Sequence, residues 1–145
     1  MVAIPKILMD DDDDDDKLLM KSAFEDNQYP VVFEFANNGE ELMQQLNTNK
    51  LKSAPNPSLI ILDLNMPKIS GHDVLKFLKG DTYFEKIPII IFSTSRNESD
   101  KTFAMNMGAN EYIIKPSSYA QLLDVVKQIN LFCIHLLGNS SIGNF

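Results

Sequence analysis

The chain has 145 residues, 44% of them hydrophobic, and a single cysteine, which suits one ordinary domain with a packed core and excludes a disordered segment or an internal disulfide. Its formal charge of −7 runs against nonspecific attraction to nucleic acid or anionic lipid, so neither nucleic acid nor membrane is an expected partner. No apolar run approaches the roughly 20 residues of a bilayer span, and Met1-Val2-Ala3-Ile4-Pro5 lacks a basic stretch before an apolar one, so a cytoplasmic protein is expected.

The first apolar run, Pro5-Lys6-Ile7-Leu8-Met9, does not alternate with polar residues, as expected of a strand covered on both faces. It leads into Asp10 to Asp16, an unbroken aspartate run, and then into Leu18, Leu19, Ala23 and Phe24 at helical spacing. Val31-Val32-Phe33-Glu34-Phe35-Ala36 predicts a second strand. Asn38 before Gly39-Glu40-Glu41 predicts a capped helix carrying Leu42, Met43 and Leu46. Lys50 to Pro57 is polar, contains Pro55 and Pro57, and reads as a loop. Ser58-Leu59-Ile60-Ile61-Leu62 predicts the third strand, and Ser70 with an acidic first turn opens a helix bearing Val74, Leu75 and Leu78. Ile87-Pro88-Ile89-Ile90-Ile91-Phe92 is the fourth strand. Phe103, Ala104 and Met107 follow on a helix that should stop at Gly108. Glu111-Tyr112-Ile113-Ile114 is the fifth strand. Ser118, three residues before Gln121, marks a capping box for a last helix over about 117–137.

Five alternations of strand and helix imply right-handed crossovers and a doubly wound α/β fold, a parallel sheet with helices on both faces. A single domain over 1–137 with a flexible, Gly-, Ser- and Asn-rich tail over 138–145 is expected. The run Leu131-Phe132-Cys133-Ile134-His135-Leu136-Leu137 is apolar nearly all round, so the last helix needs a cover: its own domain, a partner, or a second copy in a homodimer.

In such a sheet, ligands bind beyond the carboxyl ends of the strands. The first strand ends on aspartates and the third on Asp63. The fourth ends on Ser93-Thr94-Ser95 and the fifth on Lys115-Pro116. Two carboxylates about 4 Å apart repel by roughly 4 kcal/mol at an effective dielectric near 20. A cluster of them therefore needs a counter-charge. A divalent cation with hard oxygen ligands supplies it, Mg²⁺ first and Mn²⁺ as the alternative, and Lys115 adds a second positive charge. Carboxylate, cation, ammonium and hydroxyl together suit phosphoryl transfer, with Asp63 as a nucleophile that forms an aspartyl phosphate.

At these residues the chain resembles the receiver domain of two-component response regulators. The resemblance rests on the acidic pair after the first strand, Leu62-Asp63-Leu64-Asn65-Met66-Pro67, Gly71, Ser93-Thr94 and Tyr112-Ile113-Ile114-Lys115-Pro116, and covers about residues 5 to 130. Asn65-Met66-Pro67-Lys68 and the loop before the third strand look most like stand-alone receivers, chemotaxis-type and those served by phytochrome kinases. The resemblance implies a flavodoxin-like, five-stranded sheet in the order 2-1-3-4-5. It implies that Asp63 accepts a phosphoryl group from a histidine kinase or histidine phosphotransfer protein, and that the domain catalyses only its own phosphoryl transfer and dephosphorylation. Matching Leu19, Met20 and Phe24 to the family's first helix puts the metal pair at Asp11 and Asp12, with Asp63 and the Asn65 backbone carbonyl completing the set. Ser93 would be the switch hydroxyl, Tyr112 the aromatic that turns inward with it, and Lys115 the lysine paired with phosphate. Pro116 would follow a cis bond, as is typical of the family.

Plainer roles compete at several positions. Asp13 to Asp16 suit a cap and dipole partner for the first helix, Tyr112 could equally be static core, and His72 and His135 read as surface or packing residues. Two other functions fit the residues less well. A small Mg²⁺-dependent phosphohydrolase with an aspartate nucleophile would place that nucleophile after the first strand. A degenerate, phosphate-independent binding module would have no need of the acidic pair, Asp63, Ser93 and Lys115 together.

Overall fold

A computed structural model describes residues 4–142 apart from Pro67, with side chains described as far as Leu137. The strands are β1 Lys6–Asp10, β2 Val32–Ala36, β3 Leu59–Leu62, β4 Ile89–Ser93 and β5 Glu111–Ile114. Between and after them run α1 Asp14–Asp26, α2 Gly39–Leu51, α3 Gly71–Lys79, α4 Glu98–Asn106 and α5 Tyr119–Ile142. All strand pairs are parallel, in the order β2-β1-β3-β4-β5. Strand order therefore reverses between β1 and β3, the place where such sheets bind ligands.

The apolar strands sort their side chains by the two-residue period of a pleated sheet. Leu8, Ile60, Leu62, Ile89 and Ile91 face α2, α3 and α4, where Leu42, Leu46, Val74, Leu75, Leu78 and Ala104 meet them. Ile7, Met9, Leu59, Ile61, Ile90 and Phe92 face the other way, onto Met20, Ala23 and Phe24 of α1 and Leu122, Val126, Ile129 and Cys133 of α5. Each fully buried aliphatic or aromatic side chain stabilises by about 1.5–3 kcal/mol. Covering both faces is what makes four- and five-residue strands sufficient.

The helix ends follow local chemistry. Asn38, Ser70 and Asn97 cap α2, α3 and α4 through their side-chain oxygens. Ser118 Oγ accepts from Gln121 N, and the Gln121 side chain returns to Ser117 N, one residue outside the expected box. Gly108 closes α4 at φ 102°, with its N–H on Met105 O and Ala109 N–H on Ala104 O, a Schellman motif. Gln28 and Ser53, both near φ 60°, close α1 and α2 in the same pattern. Neither side chain advertises this conformation.

The expected last helix over about 117–137 is α5, whose backbone runs on to Ile142; residues 143–145 lie outside the described residues. Two expectations need correction. The Lys115–Pro116 bond is trans, like every described peptide bond. Trans is the ground state of an X-Pro bond, and Ser118 opens α5 without needing the other isomer. Contrary to the sequence expectation, α5 is long and apolar enough over Tyr119–Leu137 to cross a membrane. One stripe of it, Leu122, Val126, Ile129 and Cys133, is packed against the sheet.

Gly71 opens α3 against the segment after β3. A Cβ there would lie 2.4 Å from Asp63 O and 2.5 Å from Leu64 Cα, with no flexible side chain to give way. Gly71→Ala should therefore destabilise the domain by roughly 1–3 kcal/mol, the usual range for overpacking. Urea unfolding of the two proteins measures it, and an unchanged midpoint would show that α3 can slide.

Candidate functional site

Backbone hydrogen bonds that continue the sheet past its strands position the site. Asp63 N donates to Asp10 O at 3.1 Å, Asp11 N to Ala36 O at 3.1 Å, and Lys115 N to Ser93 O at 2.9 Å. Asp11, Asp63 and Lys115 thus emerge on one edge in fixed register. Carboxylate oxygens of Asp11, Asp12 and Asp63 all lie within 4.8 Å of one another, two of the residues buried and Asp12 exposed. Asp11 Oδ1 accepts from Asp13 N at 2.9 Å and Asp63 Oδ1 from Asn65 N at 3.1 Å. In each carboxylate one oxygen is held by backbone, and the other turns toward the cluster.

Lys115 is the ammonium within this cluster. Its Nζ donates to Asp16 Oδ2 at 2.7 Å and to Asp63 Oδ2 at 3.1 Å. It also stands 2.9 Å from Asp11 Oδ2, a buried ion pair. Burial alone would lower the Lys115 pKa; Asp16, Asp11 and Asp63 outweigh it and hold the pKa above the ordinary lysine value. Asp11 shows the opposite balance: burial raises its pKa although Lys115 and the Asp13 backbone pull it down. Three converging carboxylates, two of them buried, form an oxygen-rich donor set of the kind a hard divalent cation takes. The geometry fits a divalent metal, with Asp11, Asp12 and Asp63 as side-chain ligands.

Asp10 completes the acidic group in an unexpected way. It is fully buried, on the strand face of Leu8, and neither carboxylate oxygen has a hydrogen-bond partner. Burial, then the charges of Asp11, Asp63 and Glu41, raise its pKa to about 7. Nearby Lys17 offsets this only weakly; its own buried ammonium bonds Asn37 Oδ1 and pairs with Asp14 at 3.0 Å.

Ser93 ends β4, fully buried. Its Oγ accepts from Ser95 N at 3.2 Å and from the Asn65 side-chain amide at 3.4 Å. Tyr112 is half-buried against the α3–α4 side of the core, and its hydroxyl donates to Ser95 O at 2.9 Å. The residues expected from sequence therefore meet: Asp11, Asp12, Asp63 and Lys115 directly, Ser93 and Asn65 through their mutual bond, and Tyr112 one residue-pair away. Asp13 caps α1 as expected. Asp16 departs from the cap role given it, because its carboxylate turns from the helix end to Lys115. His72 packs on Phe103 with ring centroids 5.0 Å apart and pairs with Asp100 at 3.0 Å.

The family model of the response regulator receiver domain matches residues 7–127. The chain belongs to this family. Among curated relatives, the receiver is 30% identical to the probable methanogenesis regulatory protein FilR2 of Methanothrix harundinacea, over 77% of this chain and 72% of that one. It is 32% identical to the chemotaxis protein CheY1 of Helicobacter pylori, over 68% of this chain and 74% of that one. With response regulator Rcp1 of Synechocystis it shares 35% identity over 56% of this chain and 55% of that one. Among solved structures, the phosphorylated cyanobacterial phytochrome response regulator RcpA superposes with a TM-score of 0.82 at 34% identity, covering 91% of this chain and 95% of that one. The Mn²⁺-bound form of Rcp1 superposes at 0.79 with 28% identity, covering 88% and 93%. The receiver is thus a signalling domain of the chemotaxis- and phytochrome-regulator type, and its flavodoxin-like order agrees with the sequence.

The Asp10 carboxyl makes a pH prediction for the metal-free protein. Unfolded, it releases its proton near 3.8; folded, near 7. A raised carboxyl destabilises the fold once the unfolded chain ionises, so stability falls from about pH 4 to pH 7 and then levels. Three units correspond to about 4 kcal/mol. Asp10→Val should be more stable at pH 8 than wild type and lose less stability between pH 5 and pH 8. Urea titrations in chelator at both pH values test this; parallel pH profiles would reject the assignment.

Proposed function

We propose that the receiver accepts a phosphoryl group on Asp63 from phosphohistidine of a histidine kinase or phosphotransfer protein, and signals through Ser93 and Tyr112. The observation that carries this is Asp63 itself: buried, one oxygen held by Asn65 N and the other 3.1 Å from the Lys115 ammonium. The acidic pair Asp11 and Asp12 stands beside it. An Asp63 oxygen attacks phosphorus; the O–P bond forms as the N–P bond to the protonated phosphoimidazole of the donor breaks, and the imidazole leaves neutral, keeping the proton already on its other ring nitrogen. Lys115 supports the charge that spreads over the phosphoryl oxygens. Ser93, at the end of β4, would then turn its hydroxyl to a phosphoryl oxygen.

Asp11, Asp12, Asp63 and the Asn65 carbonyl would hold the cation, Mg²⁺ or Mn²⁺. When bound, it neutralises the carboxylates and polarises the phosphoryl group. That Rcp1 has a Mn²⁺-bound form supports this choice. Of its own chemistry the domain performs only this transfer and the later hydrolysis of the aspartyl phosphate, in which water takes the phosphoryl group and the Asp63 carboxylate is restored. Such a partner and donor suit a cytoplasmic location.

A homodimer through α5 accompanies this reading. Cys133 of α5 is buried, while Leu131 and Ile134 are 66% and 56% exposed beside it, an apolar flank that a second copy would cover. In sedimentation, wild type should associate at high micromolar concentration and Ile134→Glu should not. A purely monomeric wild type would rule the dimer out.

Intact-mass analysis after incubation with acetyl phosphate tests the acceptor. Wild type should gain one base-labile phosphoryl group that requires Mg²⁺, and Asp63→Asn none. Modification that persists in Asp63→Asn would assign another nucleophile.

A further inference from the structure

Ser95 lies outside the acidic cluster, yet three polar groups of this one residue hold three parts of the proposed switch. Its N–H donates to the Ser93 hydroxyl at 3.2 Å, and its carbonyl accepts from the Tyr112 hydroxyl at 2.9 Å. Its own hydroxyl donates to Asp100 Oδ2 on α4 at 2.6 Å. The other oxygen of Asp100 meets His72 Nε2 of α3 at 3.0 Å. His72 follows Gly71, whose N–H bonds Leu64 O immediately after Asp63. Its ring also rests on Phe103 of α4. A side-chain path thus runs from the segment after Asp63, through His72 and Asp100, to the loop that carries Ser93 and receives Tyr112. The path is bonded strongly enough to hold the Asp100 carboxyl below the ordinary carboxylate range, chiefly through Ser95 and then His72.

We propose that Ser95, Asp100 and His72 are positioning residues that fix the loop after β4 in the conformation that seats Tyr112 against the core, and so favour phosphoryl acceptance at Asp63. This rests on the switch reading given above. If phosphorylation draws Ser93 and Tyr112 inward, anything that stabilises the inward seat favours phosphorylation in turn, since the coupling is reciprocal. The Tyr112 ring is packed on the core side with its hydroxyl on Ser95 O, so the path stabilises the inward seat rather than an outward one. The fold itself depends on it little: Asp100 and His72 stand near the starts of α4 and α3, where water can take over their hydrogen bonds.

The test follows phosphorylation by acetyl phosphate and Mg²⁺ in wild type, Ser95→Ala, Asp100→Ala and Ser95→Thr. Mn²⁺ affinity is measured by calorimetry, and ¹⁹F NMR of 3-fluorotyrosine protein reads the Tyr112 seat, its resonance assigned with Tyr112→Phe. Ser95→Ala and Asp100→Ala should slow phosphorylation on the order of tenfold, the scale of one lost hydrogen bond to a charged group. Both should move the Tyr112 resonance toward its solvent position and leave Mn²⁺ affinity unchanged, and Ser95→Thr should restore the rate. Variants that phosphorylate at or above the wild-type rate, or that lose rate only together with Mn²⁺ affinity and thermal midpoint, would overturn the proposal. If wild type takes no phosphoryl group, or Asp63→Asn still does, the acceptor reading fails instead. The Tyr112 resonance decides for or against the positioning path in either case.

Discussion

The dominant constraint on this domain is charge balance at the switch point of the sheet. Asp10, Asp11, Asp12 and Asp63 gather where β1 and β3 end, and Lys115 is the ammonium that reaches the cluster. Two adjacent carboxylates repel by roughly 4 kcal/mol at an effective dielectric near 20, so one lysine cannot offset the whole group. The remainder is relieved by keeping a proton, toward which burial and neighbouring charge push the Asp10 carboxyl, or by taking up a cation. A site that stores unfavourable electrostatics gains affinity for whatever cancels them. That is the physical link between an apparently poor arrangement for stability and a metal-dependent phosphoryl acceptor.

The remainder of the fold holds that arrangement in place. Strands of four or five residues could not resist such repulsion alone, but the central strands β1, β3 and β4 are buried on both faces, and backbone bonds carry the sheet pattern one residue further to Asp11, Asp63 and Lys115. Gly71 lets α3 approach the Asp63 backbone so closely that no side chain fits between them. The β4–α4 loop, by contrast, is held by side-chain bonds. The proposed responders, Ser93 at the end of β4 and Tyr112 on β5, both bond to Ser95 of that loop.

Sequence alone carried the fold and most of the site because both depend on local patterns. Two-faced strands read as unbroken apolar runs, caps as Asn38 and Ser70, and strand-end chemistry as Asp63 and Lys115. What escaped was set by tertiary geometry. In an unbroken aspartate run nothing local shows that Asp10 is buried on the Leu8 face or that Asp16 turns to a lysine 99 residues away. Only the resemblance, through the register of the first helix, sets the metal pair apart from Asp10. Gln28 and Ser53 adopt the left-handed conformation that sequence assigned to Gly108 alone, because the Schellman bonds outweigh the modest strain. The bridge from Ser95 through Asp100 to His72 joins three elements, none of whose local patterns mentions the others.

This division between legible and illegible residues has an energetic basis. Each buried core side chain contributes about 1.5–3 kcal/mol, and residue type at core and acceptor positions is tightly limited by burial and charge. A switch works on a different scale. Moving a two-state equilibrium tenfold takes about 1.4 kcal/mol, the worth of one or two hydrogen bonds, so the residues that tune it can be ordinary serines, aspartates and histidines at half-exposed positions. On the proposed function, Asp63 and its cluster determine whether the domain responds at all. How far it responds is then set by contacts as small as the Ser95 hydroxyl on Asp100, which is why those contacts leave so faint a mark on the sequence.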